Sequence, residues 1–313
     1  MLALSAALFY VCFQHVNLKK WAQALQDFHY SFLALAFLSI SSILFLKTVQ
    51  WRIFLNGEQT ITFRRLFQNI SLWLMMVNLF PFWFGEAFVI YLLGHREGIG
   101  KIRMLSVIAL DQASEGLSLL GVFGVLGISS VLPEWMMRGM RVVLGLTLSF
   151  FIILFALAHR YRDWEEKPRP LVGIWQRFKY LFSKWAHRLS ILRSGRKTLA
   201  AILLSCSVKG AEALALFLLQ RGLDLTVPFW APFLVIAALN LALMIPLAPG
   251  NLGIFEAVVF FVYQYLGVNS EKALSLAILY HLVYSLPLVV TGYVNSMKVG
   301  IKIWQRVGGP EAT

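Results

Sequence analysis

The sequence predicts an all-α, polytopic membrane protein with about six full spans and two re-entrant, broken-helix hairpins. Three observations predict it. Of the 313 residues 59% are hydrophobic and 14% charged, with mean hydropathy +0.71; a soluble domain carries about 25% charged residues. Apolar runs recur at the length of a bilayer crossing, for which ~20 helical residues suffice. The runs are continuous rather than alternating, so the backbone groups that lipid leaves unsolvated are satisfied within helices rather than in a barrel.

Long apolar segments fall near 1–16, 31–55, 104–130, 140–158, 198–220 and 272–297. Residues 1–16 read as a retained first span, because no basic residues precede the run and no small-residue cleavage site follows it. Two more segments are interrupted. Segment 66–93 breaks at Pro81 and Gly85, and segment 229–266 breaks at Pro246-Leu247-Ala248-Pro249-Gly250-Asn251-Leu252-Gly253. Each half of the first has about 12–15 residues, short for a crossing and suited to a hairpin that returns to its own side. The halves of the second read as somewhat longer.

Treating both as hairpins sorts the loops into two sides. Loops 56–65, 94–103, 159–198 and 298–313 hold nineteen Lys and Arg; loops 17–30, 131–141, 221–228 and 267–272 hold six. The basic side is expected to be cytoplasmic, with both termini inside. One membrane domain, 1–313, then contains two units of opposite topology, 31–130 and 198–298. The breaks are alike in sequence: Pro81, Gly85 and Glu86 in one, Pro249, Gly253 and Glu256 in the other. Inverted repeats whose broken helices meet near the midplane are a recurring transporter plan. Pro and Gly are common in membrane helices in any case, but here topology and local pattern agree.

The formal charge of +13 sits in loops, so anionic lipid, not nucleic acid, is the expected partner. In the basic loop 159–198, Trp175, Phe178, Phe182, Trp185 and Leu189 share one helical face. That pattern fits an amphipathic helix in the headgroup layer; a helix packed on a partner protein is the alternative. Cys12 and Cys206 lie far apart in apolar stretches, so neither a disulfide nor a zinc site is expected, and no metal or cofactor is implied.

An ionisable group within the bilayer costs at least ~2.5–3.5 kcal/mol, so each one requires a reason. The acids in apolar segments are Glu86, Asp111, Glu115, Glu212 and Glu256; the bases are Lys47, Arg52, Lys209 and His281. Glu86 and Glu256 follow the helix breaks, where a carboxylate caps unpaired N–H groups and gains from the helix dipole. The functional reading has the two breaks facing across a central cavity. Their N–H groups bind an anion there, the carboxylates bind a cationic headgroup, a proton or a basic partner, and Asn78, Asn240 and Asn251 complete the lining. Asp111 and Glu115, at i and i+4, share a face. Such close like charges in low dielectric oppose simultaneous ionisation, as a proton relay requires; the other reading is a polar face meeting Arg52, Lys101 or Arg103. Lys209 and Glu212, at i and i+3, read as a structural pair. His281, near Tyr280 and Tyr284, is read either as a packing residue or as part of the path. Hydrolase, zinc-protease and phosphate-loop signatures are absent, so no enzyme activity is expected.

These residues carry a family pattern. Leu247 to Glu256 resembles the Pro-Gly-Gly-x-Gly-x-x-Glu motif of the lysylphosphatidylglycerol-synthase transmembrane family, also called flippase-like. Asn78 to Pro81 with Gly85-Glu86, the Trp51-Arg52 pair, and Leu279 to Pro287 also fit. The resemblance covers nearly the whole chain and implies lipid translocation or lipid binding in a bacterial inner membrane. It does not imply lipid aminoacylation, because the soluble transferase domain has no counterpart in these residues. Where the family often carries arginines, this chain has Val89, Gln112 and His281, and those arginines are natural phosphate partners. The expected function is a flippase-like transporter. The rivals are a non-transporting scaffold that presents a lipid carrier to a separate glycosyltransferase or acyltransferase, and an integral lipid-modifying enzyme that uses the carboxylates.

Overall fold

The computed structural model describes residues 10, 12, 14, 16–55, 61–80, 84–128, 134–165, 173–243 and 249–299. All regular structure in them is helical. In chain order the α-helices are α1 Leu18–Gln26, α2 Tyr30–Phe54, α3 Phe63–Leu79, α4 Phe84–Glu97, α5 Lys101–Ile128, α6 Glu134–Arg160, α7 Ile174–His187, α8 Gly195–Gly222, α9 Ala231–Ala242, α10 Ile254–Tyr265 and α11 Ser270–Val299. Short 3₁₀ turns occupy Ser190–Arg193 and Pro249–Asn251.

Among the described residues, five helices are long and apolar enough to cross a membrane: α2, α5, α6, α8 and α11. They match five of the six expected spans. The sixth, 1–16, lies outside the described residues except for Tyr10, Cys12, Gln14 and Val16. The broken segments divide as expected, with one correction. The first gives the longer arms, 17 and 14 residues, and the second gives 12 and 12. The arm before the second break ends at Ala242, with Leu243 as its C-cap. At about 1.5 Å per residue, all four arms fall short of a hydrocarbon core of about 30 Å. Pro81 and Pro246 themselves lie outside the described residues.

The break before α10 is built from left-handed backbone. Gly250 has φ 64°, Asn251 φ 54° and Gly253 φ 89°. Glycine adopts such angles without steric cost, which is why this motif needs two of them. At the other break the requirement is space. A Cβ on Gly85 would fall on the side chain of Val77, so Gly85 lets the arms α3 and α4 close on each other. Their far ends are joined by Asn69, which donates to Glu97 at 3.2 Å and accepts from Arg96 at 2.8 Å. The pair is therefore an antiparallel hairpin.

Helix α2 packs antiparallel against α8. Ser39 donates to the Ala211 carbonyl at 2.9 Å, and Gln50 donates to the Ala201 carbonyl at 3.1 Å and to Ser205 at 2.6 Å. Helix α3 lies along α11, where Asn295 donates to Ser71 at 2.8 Å. The pattern of neighbours has an exchange symmetry. Replacing α2, α3, α4 and α5 by α8, α9, α10 and α11, and the reverse, turns α3–α11 into α9–α5, α5–α8 into α11–α2, and α4–α5 into α10–α11. All of these pairs pack.

Gly292 sits where α11 crosses α3, and a Cβ there would strike the Met75 side chain and the Ser71 carbonyl. Gly121 faces open space. Gly292→Ala is expected to cost about 1–3 kcal/mol through overpacking and to lower the melting temperature in detergent. Gly121→Ala should leave it unchanged or slightly raised, as helix propensity favours alanine.

Candidate functional site

The two helix breaks meet. The Asn78 carbonyl, at the end of α3, lies against Gly250 of the Pro249–Asn251 turn. Beside this junction is a cavity of about 440 Å³ walled by residues of α2, α3, α4, α5, α6, α8, α9, α10 and α11. Its ionisable lining is Lys47, Glu86, Asp111, Glu115, Lys209 and Glu212. Five of these six lie on the long spans α2, α5 and α8, well inside the helix ends, so the polar centre sits deep in the bundle.

Lys47 organises one side. Its ammonium, fully buried, is 2.9 and 3.1 Å from the two oxygens of Asp111 and also forms an ion pair with Glu115. The i, i+4 carboxylates of α5 thus share a cation from α2. This differs from the sequence reading that gives them an arginine or Lys101 as partner. Arg52, Lys101 and Arg103 are not the partners, and the repulsion between the acids is offset by a counter-ion. Arg103 instead donates to the Phe54 carbonyl at 2.9 Å and to that of Arg188 at 3.1 Å. Lys47 also lies over the Trp73 ring, 5.9 Å from its centroid, and Trp51 packs on Trp73 at 4.7 Å. On α8, which packs against both α2 and α5, Lys209 binds Glu212 at 3.1 Å. This is the expected pair, but it faces the cavity.

The two acids that follow the breaks have separated roles. Both are the third residue of their helix. Glu86 lines the cavity, half-buried. Glu256 does not. It accepts from the Gly253 N–H at 2.8 Å, capping α10, and pairs with His281 Nδ1 at 2.6 Å. His281 in turn stacks on Phe255, with centroids 4.4 Å apart, and Phe255 forms part of the wall. Glu256 and His281 therefore stand one side chain away from the cavity, placed there by the cap and the stack. Asn251 is held in the left-handed turn and is not among the lining residues. Asn78 and Asn240 do line it. Each turns its amide back to the carbonyl four residues earlier, at 2.8 Å, to Leu74 and Ile236 respectively.

Among the polar cavity residues, Lys47, Thr147, Tyr280 and Tyr284 have no cavity role in the sequence reading, and Lys209 and Glu212 are read there only as a structural pair. One signal was present for Tyr280 and Tyr284: their i, i+4 spacing matches that of Asp111 and Glu115. Among the described residues, no group of three or more His, Cys, Asp or Glu side chains is placed to hold a metal ion.

Removing one partner of a buried pair strands the other. Lys47→Met is expected to destabilise the fold by about 3–5 kcal/mol. Adding Asp111→Asn should recover part of that loss, and a thermal double-mutant cycle in detergent measures the coupling.

A family model described as the lysylphosphatidylglycerol synthase TM region matches residues 1–292. No curated protein matches the chain.

Proposed function

The chain belongs to the family of the lysylphosphatidylglycerol synthase transmembrane region, and from that premise we propose that its cavity holds the polar headgroup of a membrane lipid and passes it between leaflets. The cavity itself carries this reading. Its volume of about 440 Å³ is in the range of small-molecule ligand sites, ~300–1,000 Å³. Charges deep in a bilayer are costly and mark substrate or ion paths. Four carboxylates face two ammonium groups, and this excess of acid suits an amine-bearing headgroup.

The acyl tails remain in the bilayer, and α6 is the side by which they do so. Val143 and Thr147 of α6 line the cavity. The apolar window of α6 is 11% buried, against 39–56% for the other spans. Helix α6 packs on α5, on α7 and on the Ser190–Arg193 turn. Arg193 of that turn donates to the Ala158 carbonyl at 2.8 Å, which clamps only the C-terminal end of α6. The α6 side of the cavity, lined by Val143 and Thr147, is the tail's exit.

The exchange-symmetric packing and the antiparallel α2 and α8 support two inverted units, 31–130 and 198–298, whose hairpins re-enter from opposite faces. Transporters built this way rock one unit against the other around a fixed site. The basic end of the bundle faces the cytoplasm of a bacterial cell, with the protein in the inner membrane. The role is transport rather than lipid chemistry.

Reconstituted protein should exchange a fluorescent amine-bearing phospholipid between leaflets. Glu86→Gln should abolish that exchange with the melting temperature unchanged, because Glu86 faces the cavity. Glu256→Ala should instead lower stability by about 1.5–3 kcal/mol, through loss of charge-assisted hydrogen bonds. Normal exchange by the Glu86→Gln protein would overturn the assignment. Absence of exchange by the parent protein, with a glycosyltransferase co-purifying, would favour the scaffold that presents a lipid carrier.

A further inference from the structure

Helix α7 lies away from the cavity and carries an apolar face turned outward. Ile174, Trp175, Phe178 and Leu181 are 89, 63, 57 and 44% exposed. Trp175, Phe178, Phe182 and Trp185 form a continuous ladder of rings, with successive centroids 5.7, 6.2 and 5.6 Å apart. The ladder runs from the exposed end to a docked end. There Ala186 and Leu189 are fully buried, and Ser106 of α5 donates to the Trp185 carbonyl at 3.1 Å.

The depth of α7 is fixed by what it docks on. It touches α5 near its start at Lys101, and through Arg103 it meets the end of α2 at Phe54. His187 Nδ1 is 2.9 Å from the Tyr161 carbonyl, just past the end of α6, and the turn that follows α7 leads into α8. Four spans begin or end at this level, which is therefore the edge of the hydrocarbon and not its middle. An apolar face at that edge is covered by the interfacial layer.

Charge identifies the lipid. Residues 173–198 hold seven Lys and Arg and no Asp or Glu. Lys179 extends over the Trp175 ring at 5.4 Å, and Lys184 over Tyr180 at 6.0 Å. A cation above a ring that is itself immersed sits at the height of lipid phosphates.

We propose that α7 is a binding surface for anionic lipid headgroups, with Trp175 and Phe178 immersed in the leaflet and Arg177 and Lys179 on its phosphates. The site is separate from the cavity and does not depend on what the cavity carries.

The test uses the full chain with Phe178→Cys bearing an environment-sensitive NBD label. The signal of the parent protein, with its native Cys12 and Cys206, is subtracted. Vesicles are phosphatidylcholine with and without phosphatidylglycerol. With phosphatidylglycerol present, the label should shift to the blue and be quenched by a nitroxide in the lipid phase but not by aqueous iodide. The same label at Gln176, roughly opposite on the helix, should stay open to iodide. Arg177→Gln with Lys179→Gln should raise severalfold the phosphatidylglycerol fraction needed for half-protection, and added salt should do the same. Three results would overturn the proposal: iodide access at position 178 in anionic vesicles, equal protection in phosphatidylcholine alone, or protection that arises only when a second protein is added.

Discussion

The fold depends on the neutralisation of charge inside a medium that cannot solvate it. Lys47 belongs to a helix that is otherwise apolar for most of its length, and Asp111 and Glu115 belong to another. None of the three is tolerable alone at that depth. Joined, they fix the rotation of α2 and α5 about their own axes, because only one rotation of each brings the ammonium between both carboxylates. Apolar packing cannot do this by itself, since the lipid outside is as apolar as the helix surface. The triad therefore sets which faces of α2 and α5 are inward, and with them the position of Trp51, Trp73 and the cavity wall.

The two halves share a packing scheme and differ in chemistry. Asn78 and Asn240 make the same bond to the carbonyl four residues earlier, each near the end of the arm before a break. Glu86 and Glu256 hold the same position after it. Yet Glu256 is consumed by the Gly253 N–H and by His281, whereas Glu86 faces the cavity. Asp111 and Glu115 occupy on α5 the positions that Tyr280 and Tyr284 occupy on α11, counted from the start of each helix. At these matching positions α5 thus supplies carboxylates and α11 supplies aromatic hydroxyls. Corresponding helix pairs pack, but the side chains they bring to the wall differ.

Much of this was legible in the sequence. Span positions follow from hydropathy, because the length of an apolar run and the thickness of the bilayer are the same physical quantity. The breaks were legible because Pro249, Gly250 and Gly253 punctuate an otherwise apolar run, and Gly250 and Gly253 do take positive φ. The partner of Asp111 was not. Lys47 lies sixty-four residues away, and nothing local distinguishes it from Arg52 or Arg103 as a counter-ion. The choice among them is made by helix rotation, a tertiary quantity. The different fates of Glu86 and Glu256 were hidden for the same reason. A matching local motif predicts a cap at both, but whether the carboxylate is also free to face a cavity depends on what stands opposite, His281 in one case and open space in the other.

The cations of the cavity also differ in kind from those the family pattern implies. A guanidinium offers a planar fork that can bind a carboxylate with one edge and a phosphate with another. An ammonium is a compact point charge. Lys47 is committed to two carboxylates and Lys209 to Glu212, so neither retains a directed donor pair for a phosphate. Val89, where the family often has arginine, is fully buried and apolar, and His281 is engaged with Glu256. The positive charge at this site is thus spent on holding the acids in place. What the wall presents to a ligand is the remaining negative charge, the amides of Asn78 and Asn240, and the hydroxyls of Tyr280 and Tyr284. Under the proposed function, such a wall favours a headgroup that carries its own cation over one that carries only phosphate.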